Sequence, residues 1–301
     1  MPNFEHYLVT RFNVGLYSGA RGEAGDSSSD NWMEHRFKLF DAFCFPSVKN
    51  QSNGNFTWLV LFDAETPPKF RNIIAEYHNS FPAFTPVFVD LSYGESAAPS
   101  LRRYILERKA KDAGHIITTR LDCDDSLHFS AIDEIQKQFN GQKFKPVNFI
   151  HGYFYDLAGD AVYETSYDCN PFISLIEKVR KGGIATIMNR VHGEWHERKS
   201  IAKGRLWLQV VHDRNLLNTA TGKITGFKIE NIENEFGIDG AAAAKIRAEA
   251  QAVSAQSGEA PACASSPRRL RLLKRAYTKI FQSRYATAIR VSLRELLNRD
   301  S

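Results

Sequence analysis

The sequence predicts an α/β fold with a mainly parallel central sheet flanked by helices, and three observations predict it. Between residues 6 and 139, apolar β-branched runs alternate four times with segments of helical periodicity, the pattern of a layered sheet with right-handed crossovers. The run Phe56-Thr-Trp-Leu-Val-Leu-Phe-Asp63 is apolar with little alternation, as in a strand covered on both faces. The run Ile116-Ile-Thr-Thr-Arg-Leu121 stops at Asp122-Cys-Asp-Asp125, which releases three carboxylates at the carboxyl end of a strand. Open α/β sheets bind ligands at that end.

Taken in order, His6 to Phe12 is short, apolar and β-branched, and reads as the first strand. Asn13 to Asp30, rich in Gly and Ser, reads as a long polar loop, of a length usually tied to function or mobility. Trp32 to Phe45 carries apolar residues at helical spacing and is expected to end at Pro46. After the strand Phe56–Asp63, Pro67-Pro68 opens a helix over Lys69–His78, with proline in its first turn. Pro86–Asp90 is a third strand ending on an acid. Ser100 to Ala113 is an amphipathic helix with Ser100 as N-cap and Gly114 as stop. The strand that ends in the three acids follows, then a helix from Ser130 to Phe139.

The second half changes texture. Val147–Asp156 and Ala161–Glu164 read as a hairpin across Leu157–Asp160. Asn170-Pro171 introduces an expected short helix, Phe172–Arg180, and Ile184–Met188 is a candidate strand. The polar cluster His192-Gly-Glu-Trp-His196 precedes another strand, Leu206–His212. Residues 1–236 form the expected domain. Residues 237–266, built largely of Ala, Ser, Gln, Gly and Glu, read as an Ala-rich helix fraying into a flexible linker. Residues 267–301 read as one basic amphipathic helix, a C-terminal extension.

Composition narrows the class. The chain has 301 residues, 43% hydrophobic and 24% charged, ordinary for a soluble globular protein. Its net charge of +5 is uneven: residues 265–301 hold ten basic against two acidic side chains, a net +8, which leaves the preceding 264 at −3. A mildly acidic body argues against nucleic acid as a partner. Four scattered cysteines without a Cys-x-x-Cys pair suit neither a zinc site nor a disulfide framework, and fit a reducing compartment. With no signal-peptide pattern and no apolar run long enough to span a bilayer, the expected location is the cytoplasm, with peripheral attachment to the inner membrane face open.

Three acids within four positions repel one another unless a cation or strong donors share them. They suit Mg²⁺ or Mn²⁺, which prefer carboxylate oxygens and leave positions open for phosphate. The plain alternative is an acidic turn that stops a strand.

His6-Tyr-Leu-Val-Thr-Arg-Phe-Asn13, Phe56–Asp63, Thr119-Arg-Leu-Asp-Cys-Asp-Asp125, Asn170-Pro-Phe172 and Trp207-Leu-Gln-Val-Val-His212 together resemble the "putative rhamnosyltransferase" family. These are nucleotide-sugar-dependent glycosyltransferases of the GT-A fold. The resemblance spans about residues 6–215, and Arg-Leu-Asp-x-Asp-Asp is its most specific element. It implies a GT-A-like domain that moves a sugar, with dTDP-rhamnose as donor, to a saccharide or lipid-linked acceptor of a cell-envelope polysaccharide, assisted by a divalent metal.

Carried onto these positions, the family pattern makes Asp124 the leading metal ligand, Asp125 a second ligand and Asp122 a donor contact. A late strand carrying histidine is the usual third metal contact of this fold, which points to His212; a core histidine is the alternative. Thr10 and Arg11 end the first strand, where the fold receives the nucleotide base, and Asp63 ends the second, where it would accept from a pyrimidine N3–H. Arg102 or Arg103 would clamp phosphate, or simply lie on a solvated helix face. Inversion by single displacement follows if the donor is an α-linked dTDP sugar, and it requires a general base. Glu194 is the first candidate, with Asp168 and Glu164 behind it; His192 and His196 would line the acceptor pocket. The basic C-terminal helix would lie on an anionic membrane surface or pack on protein. The competing functions are a metal-dependent nucleotide-sugar hydrolase and a non-catalytic membrane-associated module.

Overall fold

The structure, a computed structural model, describes residues 3–17, 26–91, 96–212, 223–225 and 228–257. In chain order the elements are β1 (Phe4–Arg11), α1 (Asp26–Leu39), a π-helical turn (Phe40–Cys44), α2 (Phe45–Lys49), β2 (Thr57–Asp63), α3 (Pro68–Ser80), β3 (Phe84–Val89), α4 (Ala98–Arg108) and β4 (His115–Arg120). There follow β5 (Ser126–Leu127), α5 (Ala131–Gln136), β6 (Phe144–Phe149), β7 (His151–Asp156), β8 (Ala161–Ser166) and β9 (Ser174–Lys178). After two 3₁₀ turns, Ile187–Asn189 and His192–Glu194, come β10 (Lys199–Ile201), β11 (Trp207–Val211), β12 (Lys223–Ile224), α6 (Glu233–Phe236) and α7 (Gly240–Ser257). None of the described helices is long and apolar enough to cross a membrane.

Seven strands form the central sheet in the order β10-β6-β9-β4-β1-β2-β3. Its β4-β1-β2-β3 half and the β10–β6 pair are parallel, and only β9 runs against its two neighbours. This is the α/β class the sequence predicts. Alternation along β1 separates two cores. Leu8 joins Phe12, Phe40, Trp58 and Phe62 under α1 and α3, while Val9 joins Leu59, Leu61 and Ile116 under Leu101 and Ile105 of α4. A second sheet of five strands, β12-β8-β7-β11-β5, packs its own cluster against α7 through Ala243 and Ile246.

Several elements depart from the sequence expectations, each for a visible reason. The first helix begins at Asp26, earlier than expected, and Pro46 does not stop it. A π-helical turn absorbs the proline, which sits in the first turn of α2, and the Phe43 and Cys44 carbonyls accept from the Ser126 and Ser47 hydroxyls. Helix α4 starts two residues before Ser100, with Pro99 in its first turn and the Ser96 hydroxyl accepting from the Ala98 N–H. Val147–Asp156 is two strands, since the chain leaves the central sheet at Ile150 and enters the second.

Phe172–Arg180, expected as a helix, contributes strand β9, inserted between β4 and β6, because pairing on both edges outweighs local propensity. Ile184–Met188 is no strand. Glu177 takes the N–H groups of Ala185 and Thr186, and the Thr118 hydroxyl takes that of Ile187, so three successive N–H groups are turned away from a ladder. The expected Ala-rich helix is present as α7 (Gly240–Ser257), while the expected linker beyond it and the expected basic helix 267–301 lie outside the described residues.

A buried polar row crosses the sheet below the site. The Gln136 amide meets His6 Nδ1 at 3.2 Å, His6 Nε2 meets Thr119 Oγ1 at 2.8 Å, and Thr119 Oγ1 meets Ser174 Oγ at 2.8 Å. An amide donor at Nδ1 requires neutral imidazole with its proton on Nε2. Burial pushes the His6 pKa down to about 3. Below the unfolded value of about 6.5 only the unfolded chain takes up this proton, so stability is full above that pH and falls on acidification. We expect His6→Gln to lose about 2 kcal/mol less stability than the native chain between pH 7 and pH 5, checked by urea melts at both values.

Gly152 is where a backbone requirement is sharpest. The Trp207 ring of the adjoining strand lies across it, stacked on Phe172 at 5.1 Å and held by its indole N–H on the Phe149 carbonyl at 2.8 Å. A Cβ on Gly152 would stand 2.1 Å from Trp207 Cδ2. Gly152→Ala should therefore lower stability by about 1–3 kcal/mol, the usual cost of overpacking, measured as a shift in the urea midpoint.

Candidate functional site

The site forms where β4 ends and the chain crosses from the first sheet to the second. The Leu121 N–H donates to the Val9 carbonyl at 3.0 Å, which holds the start of the crossing against β1. The Asp125 N–H turns back to the Asp122 carbonyl at 3.2 Å, so Asp122, Asp124 and Asp125 leave the chain in different directions.

Asp122 remains partly open. Arg120 holds it with Nη2 at 3.0 Å from Oδ2 and 3.1 Å from Oδ1, a forked pairing suited to guanidinium. Burial pushes this carboxyl up, but Arg120 and then Arg11 outweigh it, and the pKa lies below the ordinary value. Arg11, exposed at the end of β1, thus acts on Asp122 by its charge. At His192, burial first, then the charge of Arg120, lowers the pKa to about 4, against an opposing pull from Asp122.

Asp124 is buried between two cationic or donor groups. Its Oδ2 is 2.5 Å from Arg36 Nη1 and 3.0 Å from His212 Nε2. A carboxylate only accepts, so His212 carries its proton on Nε2. Burial opposes ionisation of Asp124, yet Arg36 and His212 win and hold its pKa well below the carboxylate range. Asp125 turns inward and accepts the Val210 N–H of β11 at 2.9 Å. Burial and then the charges of Asp124 and Asp122 drive its pKa well above the ordinary value.

The other predicted residues are spread more widely. Thr10 is fully buried and its hydroxyl accepts from the Trp58 indole at 2.9 Å, which places this side chain in the core and not at the sheet's open end. Asp63 is also buried, and its oxygens accept from the N–H groups of Tyr17 at 3.0 Å and Glu65 at 2.9 Å, so it shapes the loop after β1. Arg102 reaches Asn189 at 3.4 Å and, with Arg103, lines a surface concavity with Pro99, Leu106 and Glu107. Glu164 pairs with Arg205 at 2.9 Å.

Glu194 is exposed on the same 3₁₀ turn as His192, and His196 is exposed just beyond it. Asp168 bonds Ser200 and pairs with Arg198 at 2.8 Å; the Ser200 hydroxyl first, then Arg198, holds its pKa below the ordinary value. Of the predicted residues the structure thus brings Asp124 and His212 into contact, while Arg11 and His192 are linked to Asp122 through charge. Arg36 and Arg120 escaped the sequence reading. Arg120 sits inside the most specific motif, whereas Arg36 lies 88 positions from its partner, a separation no local pattern reveals.

Asp124 and His212, which meet at 3.0 Å, are the two side chains here that could hold a divalent cation. Among the described residues no group of three or more His, Cys, Asp or Glu side chains is arranged to hold a metal. Two protein ligands suit an ion that fills its remaining positions with water and phosphate. The fit is conditional: Arg36 must leave Oδ2, and His212 must present a bare Nε2.

Among solved structures the chain is similar to S. aureus TarS 1-349, with 7% identity and a TM-score of 0.39 over 69% of this chain and 60% of that one. The same TarS fragment in complex with UDP-GlcNAc gives 8% identity and a TM-score of 0.38 over 70% and 60%. The mannosyltransferase PcManGT from Pyrobaculum calidifontis, in complex with GDP-Man and Mn²⁺, gives 11% identity and a TM-score of 0.40 over 98% and 87%. The chain thus spans about 60% of the length of TarS 1-349. No curated protein matches it. Residues 9–224 match the family described as "Putative rhamnosyl transferase", and the chain belongs to that family.

Proposed function

We propose that this protein transfers a sugar from a nucleotide-sugar donor to a saccharide acceptor, with the donor seated at the carboxyl ends of β1 and β4. The observation that carries the proposal is the splitting of the acid loop into two polarised groups in a chain of this family: Asp122 with Arg120 and Arg11, and Asp124 with Arg36 and His212. In the first group, Arg11 and Arg120 offer the donor's diphosphate guanidinium charge, while Asp122 accepts from ribose or sugar hydroxyls. In the second, Asp124 and His212 are the residues that would hold Mn²⁺ or Mg²⁺. A bound ion would stabilise the negative charge developing on the departing diphosphate. Rhamnose, carried as dTDP-rhamnose, is the proposed sugar because the family description names it, and an envelope polysaccharide or its lipid-linked precursor is the proposed acceptor.

For single displacement with inversion, Glu194 is the proposed base. It is exposed on the same turn as His192, whose ionisation feels the charge of Asp122. Asp168 is the weaker candidate, since donors on both its oxygens stabilise the ionised form and reduce its basicity.

The decisive assay follows nucleoside diphosphate release from a panel of nucleotide sugars with Mn²⁺ or Mg²⁺, with and without an envelope polysaccharide. Acceptor-dependent release is expected. Release without acceptor would point to a hydrolase, and none with any donor to a non-catalytic module. Glu194→Gln should lower acceptor-dependent turnover by roughly 10²–10⁴-fold, the span of general-base catalysis, while nucleoside diphosphate affinity stays the same. Near-native turnover in that variant would remove Glu194 from the role.

A further inference from the structure

We propose that Arg36 is a built-in competitor of the divalent cation: guanidinium and metal are alternative occupants of Asp124 Oδ2, so Arg36 sets the metal affinity of the site. The inference rests on the placement of Asp124 and His212 as ligands in the proposed function and adds a residue that neither the motif nor the family description indicates.

Three observations carry it. First, Arg36 is placed as a counter-cation. Its Nη1 is 2.5 Å from Asp124 Oδ2, with only 13% of the Arg36 side chain and 8% of the Asp124 side chain exposed. A charge-assisted pair this sheltered from water is worth more than a surface ion pair. Second, the same oxygen also takes His212 Nε2 at 3.0 Å, from a side chain only 1% exposed. The face of Asp124 that a metal shared with His212 must use is therefore the face Arg36 covers. A divalent ion at carboxylate distance and a guanidinium on one oxygen would repel one another across a few ångströms in a region shielded from solvent.

Third, Arg36 is also held by a contact that does not depend on Asp124. Its guanidinium carbon lies 5.0 Å from the centre of the Trp32 ring, one helical turn earlier on α1, a distance at which a cation is held by an aromatic face. Its Nε is buried and makes no hydrogen bond among the described residues, so the pairing with Asp124 does not use the full donor set. A bound diphosphate, which presents several oxygens to a planar fork, would be a better partner than one carboxylate oxygen. Arg36 is thus a positioning residue that keeps Asp124 ionised and in place without metal and yields when metal enters.

The test is direct binding of Mn²⁺ alone to the full chain, followed by the electron paramagnetic resonance of free Mn²⁺, for the native protein, Arg36→Gln, and Arg36→Gln with Asp124→Asn. Arg36→Gln should bind Mn²⁺ roughly tenfold or more tightly, the scale on which a charge-assisted hydrogen bond shifts an equilibrium. Its melting temperature should rise on adding Mn²⁺ by more than that of the native chain. The double variant should lose the gain. Unchanged or weaker Mn²⁺ affinity in a folded Arg36→Gln protein overturns the proposal, as does a double variant that binds as tightly as Arg36→Gln. If Arg36→Gln does not fold, Arg36→Lys, which keeps the charge but loses the fork, should still bind Mn²⁺ more tightly than the native chain, by a smaller factor; equal or weaker affinity overturns the proposal. Because the readout is metal binding and not turnover, a protein that behaves this way yet releases no nucleoside diphosphate would defeat the functional proposal and leave this one standing.

Discussion

The buried Asp125 carboxylate is the joint on which the rest of the site depends. It lies where the chain leaves β4 of the first sheet, and it accepts the Val210 N–H from β11 of the second. That single bond, with the short β5–β11 pairing beside it, brings the end of β11 against the acid loop. His212 follows β11 directly, so the joint is what delivers its imidazole to Asp124. A carboxyl so deeply buried beside two others is stabilised chiefly by its hydrogen-bond donor, and its raised pKa expresses the cost of ionising it there. The role is architectural, and it explains why three acids in one loop do not compete for one ligand.

Around that joint, electrostatics divide the remaining acids. Asp122 is open enough to meet a donor; Arg120 at the end of β4 pairs with it, and the charge of Arg11 on β1 favours its ionised form. Asp124 is nearly closed, and its partners come from α1 and the end of β11. The closed group requires strict placement because it has little water to compensate an error. Helix α1 supplies that placement through its continuation into the π-helical turn and α2, which anchors Phe40, Ala42, Phe43 and Cys44 in the core while Arg36 points at the loop.

The strands beneath the site are bound by a second kind of constraint. The row from Gln136 through His6 and Thr119 to Ser174 joins α5, β1, β4 and β9 by polar bonds inside an apolar core. Such a row keeps its buried polar groups satisfied only while these elements stay at this spacing.

Much of the first half was legible from residues alone. The largely apolar run Phe56–Asp63 and the β-branched run Ile116–Thr119 have few solutions other than central strands, and the acids that follow the second emerge at the sheet's carboxyl end. Asp124 and His212 were singled out together through the family resemblance, and the fold sets them 3.0 Å apart. The rest depended on contacts remote in sequence. Phe172–Arg180 carries no decisive period, and only the open edges of β4 and β6 make it a strand. Thr10 and Asp63 looked like ligand contacts by position, yet Trp58 and the N–H groups of Tyr17 and Glu65 take them inward. Arg36 reads as an ordinary helical arginine until the fold sets it against Asp124. A sequence determines which residues can be strands and which can be charged, through local sterics and solvation. Which charges meet is decided by tertiary packing, because a pair 88 positions apart acquires its energy only when the core has closed around it.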